Sequence, residues 1–406
     1  MRFSGRTAWD VAETRLARAL RARREAGLTI LDLTASNPTR CGFHYDEAGI
    51  LAALGDREAL VYDPDPRGML RAREAVCRYY AERGATVGPE QIFLTTSTSE
   101  AYSGVFRLLC DAGDEVLIAQ PSYPLFDFLA QIEDVRLVPY PLVYDHGWQI
   151  DLAGLRARVT ERTRAIALVH PNNPTGHWTR ERRELETICE ERGLALIVDE
   201  VFLDFGMTIT HPVAKSRDKD GAPRSGVGES FAGGEHPCLT FVLSGISKIA
   251  ALPQMKVAWM VGSGPEGALR EALGRLEIVA DTFLSMNAPV QCALPLWMAS
   301  AGAMQEQIRR RTAANLRALD AVLEEAPSVT RLEVEAGWYA VLRVPALGSD
   351  EELAVRLVQE RGVSVHPGYF FGFPGAGWLV VSLLAEEEEF RRGVEAVCAE
   401  FENDRD

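Results

Sequence analysis

Leu194-Ala-Leu-Ile-Val198 is an unbroken apolar run, and the residue that ends it is Asp199. The same construction recurs along the middle of the chain. Arg164–His170 runs into Pro-Asn-Asn173-Pro, and Leu239–Ser244 runs into Gly-Ile-Ser247-Lys248. Gln91–Thr96, Glu115–Gln120, Arg136–Leu142 and Val257–Val261 are further short apolar runs, and the spacing predicts helices between them over Glu100–Cys110 and Thr179–Arg192. Runs this short are strands. Strands that are apolar on both faces must be covered on both faces, and strands alternating with helices make a largely parallel sheet. The expected fold class is therefore α/β.

The flanks read differently. Residues 9–26 repeat apolar positions at helical spacing, and Ile30–Leu33 is a short extended run. Pro265–Glu325 is mostly helical, Arg331–Val344 alternates as strands, and Asp350–Arg361 reads as a helix. Val363–Val365 and Leu379–Leu384 read as strands, followed by an acidic amphipathic helix over Glu386–Phe401. A chain of 406 residues exceeds one ordinary domain. The expected division is an N-terminal arm with part of a small domain (1–45), a large domain (46–300) and a C-terminal small domain (301–406). Gly206–Pro237, rich in Gly, Ser and mixed charge, reads as an exposed, partly mobile insertion. Thr282–Met304 carries no charge, but Asn287, Pro289, Gln291 and Pro295 interrupt it, so it reads as a loop and then a buried helix, not a membrane span.

The formal charge of −15 disfavours nucleic acid and anionic membrane as partners, since both are themselves negative. A small anion reads only the local field and is not excluded. The cysteines at 41, 77, 110, 189, 238, 292 and 398 are scattered without metal-ligand spacing. They read as buried free thiols, no metal site is expected, and with no secretory signal visible the expected location is cytoplasmic.

Ligands of such sheets bind at the carboxyl ends of the strands. Three residues expected there offer an amine (Lys248), a carboxylate (Asp199) and an amide (Asn173). Pyridoxal phosphate needs these three: an amine for a Schiff base, an acid to keep the ring nitrogen protonated, and a donor to the phenolic oxygen. Each has a plainer reading as a snorkelling lysine, a helix cap or ion pair, or an Asx-turn. Ser97, Thr98 and Ser99 follow a strand and open a helix, where free N–H groups and hydroxyls either cap the helix, bind an anion or do both. Lys256, eight residues after Lys248, could neutralise a phosphate, and Ser247 flanks the lysine. Tyr123, in Pro121-Ser-Tyr-Pro124, either stacks on a ring or merely packs. Trp338, Tyr339, Tyr369, Phe370 and Phe371 could line an aromatic pocket or belong to a core.

Taken together, these motifs resemble those of the class I/II aminotransferases, the aspartate-aminotransferase-like enzymes of pyridoxal-phosphate fold type I, over roughly residues 30–400. Asn173-Pro-Thr-Gly176 looks like the family's Asn-Pro-Thr-Gly turn, and Asp199 and Lys248 match its pyridinium partner and Schiff-base lysine. The resemblance implies a mostly parallel seven-stranded sheet in the large domain, with a smaller α+β domain. It also implies that Ser97, Thr98 and Ser99 hold the phosphate, that Tyr123 stacks on the ring, and that Tyr62 reaches a neighbouring subunit's phosphate in a homodimer with shared sites. The implied activity is amino-group transfer between an amino acid and a 2-oxo acid. The alternative on the same scaffold is a lyase, cyclase or decarboxylase; a regulator that binds the cofactor without catalysis is a third reading. The chain departs from the family at four places. Phe202 replaces a tyrosine, Lys256 an arginine and Gly245 a serine, and Val380 stands where many members carry the arginine that clamps the substrate carboxylate. Arg40 is the candidate replacement for that clamp.

Overall fold

The computed structural model describes residues 1–123, 125–207, 228–284 and 286–402. Its main sheet is built from β1 (Ile92–Thr95), β2 (Glu115–Gln120), β3 (Arg136–Tyr144), β4 (Trp148–Ile150), β5 (Thr163–Val169), β6 (Ala195–Asp199), β7 (Thr240–Gly245) and β8 (Ala258–Ser263). The spatial order is β1-β8-β7-β6-β5-β2-β3-β4. From β7 through β3 every pairing is parallel; β8 is antiparallel to both neighbours, and β4 pairs antiparallel with β3. Seven strands match the expected sheet. The eighth, β4, is a three-residue return after β3 that has no apolar run of its own to announce it.

The apolar runs are strands because both sheet faces are covered. In β6 the side chains of Leu196 and Val198 join one core, and those of Ala195 and Ile197 the core on the opposite face. That alternation leaves Asp199, the last residue, at the carboxyl edge. The next parallel strand, β5, ends at Val169, directly opposite Asp199. The Asn172–Gly176 turn is thereby delivered to the same edge.

The smaller sheet consists of β9 (Thr330–Arg331), β10 (Tyr339–Arg343), β11 (His366–Pro367) and β12 (Trp378–Ser382), ordered β9-β10-β12-β11. Its two faces also differ: Tyr339, Val341 and Val380 join the large core, whereas Ala340, Leu342 and Val381 join a separate one. The N-terminal segment belongs to this region. Leu31–Asp32 pairs in parallel with Val363–Ser364, and Leu16, Ala19 and Leu20 pack against Val355 and Val358.

Three expectations need correction. Gln291 and Pro295 do not interrupt the uncharged stretch: Asn287 caps a helix running Ala288–Glu325, with Pro295 inside it. That helix crosses the expected boundary at 300, placing Trp297, Met304 and Ile308 in the large core and Leu319 in the small one. The stretch 206–237 is not exposed throughout. Gly206 bridges Ala336, and Ser230, Phe231, Ala232 and His236 are buried. Buried Glu200 supplies the reason, accepting hydrogen bonds from Ser230 Oγ and the Phe231 N–H. Residues 208–227 of the expected insertion lie outside the described residues. Among the described residues no helix is long and apolar enough to cross a membrane.

Candidate active site

Asp199 is 7% exposed at the end of β6, and its Oδ1 accepts the Val201 N–H at 3.1 Å. Burial pushes its carboxyl up to about 6; the Val201 N–H, the Lys248 ammonium and the Tyr102 hydroxyl pull the other way. Tyr102 stands one turn into the helix Thr98–Leu109, beside Thr98 on that helix face.

Lys248 sits in a one-turn helix, Ile246–Ile249, directly after β7. Its Nζ lies 4.9 Å from the centre of the Trp338 ring and 5.7 Å from that of Phe202. Ring faces attract a cation but solvate it poorly, so burial lowers the amine to about 8, while the Asp199 carboxylate works to raise it. The amine and the acid therefore sense each other in one pocket, and both titrate near neutral pH.

Asn173 is held by a turn with its own bracing. The Gly176 N–H donates to Asn172 O at 2.8 Å, and Asn172 Nδ2 donates to Thr175 Oγ1 at 2.8 Å. Gly176 has φ +68, and a Cβ there would meet the Ala336 carbonyl at 2.4 Å, so both backbone and space demand glycine. The Gly176 carbonyl accepts from the Glu335 and Ala336 N–H groups, which ties this turn to the segment carrying Trp338 and Tyr339. Asn172, Asn173, Phe202, Trp338 and Tyr339 line one narrow, tightly closed crevice.

Ser97 caps the helix Thr98–Leu109, its Oγ accepting the Glu100 N–H at 3.1 Å. Thr98 and Ser99 are half-buried at that helix start. Glu100 shares the terminus, its Oε2 accepting both the N–H and the hydroxyl of Thr96. An anion at this turn thus meets backbone donors and hydroxyls with one carboxylate alongside. Tyr123 is 43% exposed, and burial together with the Asp199 carboxylate raises its hydroxyl pKa.

Ser247 is half-buried beside Lys248. Lys256, with φ +54, is exposed, as is Arg40 in the turn Pro38–Arg40; Tyr62 is 80% exposed. The chain thus brings Asp199, Lys248, Asn173 and Tyr123 to one place and leaves Arg40, Tyr62 and Lys256 at the surface. From the Arg40 segment, Ser36 reaches the cleft, hydrogen-bonding the Tyr339 hydroxyl. Val380 is fully buried, in register with Val341 and His366.

Two participants carried little signal in the sequence. Tyr102 had none beyond its spacing from Thr98. Trp338 was one of five aromatics with a plain core reading. Three buried polar atoms in the cleft, Asn172 Oδ1, Asn173 Oδ1 and Trp338 Nε1, have no partner among the described residues. Leaving such groups unpaired costs about 1–3 kcal/mol each, so the cleft is one that another molecule completes. Pyridoxal phosphate fits the donor set: an amine for its aldehyde, an acid for its ring nitrogen, an amide for its phenolic oxygen and a helix start for its phosphate.

Comparison with known proteins gives the same direction. The sequence profile of the family described as aminotransferase class I and II matches residues 45–397. The chain is 27% identical over 358 residues to the glutamate-pyruvate aminotransferase AlaA of Haemophilus influenzae, covering 84% of this chain and 83% of that one. It is 28% identical over 405 residues to the arginine–pyruvate transaminase AruH of Pseudomonas aeruginosa, covering 97% and 95%. Among solved structures, the alanine aminotransferase of Pyrococcus furiosus superposes with a TM-score of 0.83 at 22% identity, over 99% of this chain and 100% of that one.

Proposed function

The chain belongs to the class I and II aminotransferase family, and from that premise we propose how its own residues divide the work. It is a pyridoxal-phosphate-dependent aminotransferase, moving an amino group between an amino acid and a 2-oxo acid. The relatives named above all transfer amino groups, so the lyase, cyclase and decarboxylase alternative finds no support among them. When bound, the cofactor supplies an aldehyde carbon that takes the amino group and a conjugated ring that accepts electrons.

Lys248 Nζ holds that aldehyde and then carries the substrate's α-proton. An amine lowered to about 8 is suited to both tasks, since a useful fraction is neutral near pH 7. Asp199 faces the ring nitrogen and favours its protonated form. Asn173 orients the phenolic oxygen, and Tyr123 covers a ring face. Ser97, Thr98, Ser99, Ser247 and Lys256 receive the phosphate. Arg40 receives the substrate carboxylate; the support is that Ser36, in the same segment, already bonds Tyr339 in the cleft wall. The observation that carries this reading is the mutual influence of Lys248 and Asp199 in one buried pocket.

Alanine and pyruvate form one half of the reaction in this proposal. The two relatives above act on pyruvate by name, and alanine aminotransferases are among the others. A methyl side chain needs no charged partner, which suits a cleft walled by Phe202, Trp338 and Tyr339. The test is to mix holoenzyme with L-alanine alone. Loss of the cofactor's visible band with one pyruvate formed per site is expected; ammonia or carbon dioxide instead would sink amino transfer. The Arg40→Ala variant should need about tenfold more L-alanine for half-saturation, the scale of a lost charge-assisted bond. An unchanged requirement removes Arg40 from the site.

Assembly as a homodimer with shared sites is part of the same proposal. Tyr62 lies beside Leu60 and Val61, both largely exposed, and a second copy would cover them. A monomeric mass for the holoenzyme in sedimentation would remove it. The free thiols fit a reducing, cytoplasmic setting; recovery of the native protein from an oxidising compartment would count against that.

A further inference from the structure

Trp338 is 1% exposed, among the largest fully buried side chains of the molecule. Its ring is fixed from several directions. Phe202 meets it edge-on at 5.3 Å and Phe205 at 5.0 Å. The backbone is equally constrained: the Leu383 N–H donates to the Trp338 carbonyl at 2.7 Å, and the preceding Gly337 N–H donates to Phe205 O at 2.8 Å. A ring held this firmly does not turn to find a partner for its N–H. Yet Nε1 has none, an open state it shares with the Trp148 indole, outside this crevice, whereas the indoles of Trp259, Trp297 and Trp378 each donate to a named acceptor.

The open N–H belongs to a residue that lines the same crevice as Asn173 and Phe202, and Lys248 Nζ stands 4.9 Å from the ring centre. Indole nitrogen is a donor only. What completes it must be an acceptor, and an acceptor beside the Lys248 ammonium is stabilised further when it is anionic. Phe202, packed on the same indole, has no hydroxyl to offer such an oxygen.

We propose that the Trp338 Nε1–H is a binding donor of the active site, holding an anionic oxygen of the bound molecules. The oxygen is either the phenolic oxygen of the cofactor or a carboxylate oxygen of the substrate. This rests on the cofactor-binding reading given above.

Trp338→Phe removes the N–H and keeps an aromatic ring between Phe202 and Phe205. Two readouts on holoenzyme separate the sources: the apparent pKa of the cofactor's visible band, and the binding of propionate, an amine-free carboxylate of alanine's size, followed by that band. A donor to the phenolic oxygen favours its more anionic form, so its loss raises the band's pKa by about one unit while propionate binding holds. A donor to the carboxylate leaves the band's pKa in place and its loss weakens propionate about tenfold. If neither moves, the N–H pairs with water alone and the proposal is overturned. Should the variant fail to fold, wild-type protein labelled with ¹⁵N in its seven tryptophans carries the test. Adding pyridoxal phosphate, then propionate, should move one indole N–H resonance downfield; no downfield shift with either overturns it. A wild-type protein that shows no visible band with the cofactor fails the functional reading itself, and this inference with it.

Discussion

The two walls of the cleft are made differently. On the large-sheet side, β5, β6 and β7 each run buried to their carboxyl ends and then release a functional group: the Asn173 turn, Asp199 and Lys248. On the small-sheet side, β10 and β12 present Tyr339, Val341 and Val380, with the fully buried Val380 in register with His366. One wall carries the charge and the unpaired amide. The other is apolar and aromatic, with hydroxyls from Tyr339 and Ser36. The comparison teaches that the titratable groups of the cleft come from one sheet and its aromatic lining from the other, so the lining can vary while the charged groups are held.

Lys248→Ala gives the hardest blow to the large-sheet wall. In the proposed division of work it removes both the amine that holds the cofactor and the group that moves the proton. Proton transfer alone is worth about 10²–10⁴-fold, so turnover should fall by at least that factor. The visible band of the bound cofactor should vanish with it. The fold should persist, since the substitution leaves an apolar residue between Phe202 and Trp338. Multiple turnovers by this variant, counted as pyruvate per subunit, would dissolve the distinction between the walls.

Asp199→Asn acts on the same wall more gently. Removing one member of a buried charge pair costs about 3–5 kcal/mol, or roughly 10²–10⁴-fold in rate if that cost falls on the transition state. The sharper readout is Lys248. Its amine sits at about 8 because burial lowers it against the raising effect of Asp199, so the neutral amide should let it fall further. Capture of pyridoxal phosphate by cofactor-free protein should rise with pH through about 8 in the wild type. In the variant that inflection should move to lower pH, even as turnover collapses. An inflection that stays put would mean the two groups do not interact.

The same contrast decides what could be read without a structure. Buried parallel strands are continuous apolar runs, so their ends and the groups placed there were legible: Glu115–Gln120 was located to the residue, and Asp199 and Lys248 were found by position. The small-sheet wall has no such signature. Trp338 looks like any core aromatic until its unpaired N–H is seen, and Tyr102 is an ordinary apolar-face residue of its helix until Asp199 is placed beside it. The strand β4 and the passage of a helix through Pro295 were missed for a related reason. Both depend on what packs against them, and local residue preference carries little of that.

The smallest expected effect concerns Glu200, the neighbour of Asp199 that points away from the cofactor wall. Its carboxylate is 1% exposed and accepts from Ser230 Oγ at 2.7 Å and the Phe231 N–H at 2.6 Å. Those donors favour the ionised form, but burial outweighs them and lifts the group from 4.5 to about 8. The folded protein therefore keeps a proton that the unfolded chain has lost. The contribution is present in full below about 4.5 and declines as pH rises to about 8, by a few kcal/mol at most. Glu200→Gln keeps an acceptor for the Phe231 N–H, offers Ser230 a donor, and has no proton to lose. Measured by urea midpoint, the variant should gain stability relative to wild type between pH 5 and pH 9, with turnover at pH 7 close to unchanged. Parallel midpoints across that range would mean that Glu200 is ionised throughout. The carboxyl edge of β6 would then carry two buried charges side by side, and Asp199 could no longer be treated as the one acid that the Lys248 wall supplies.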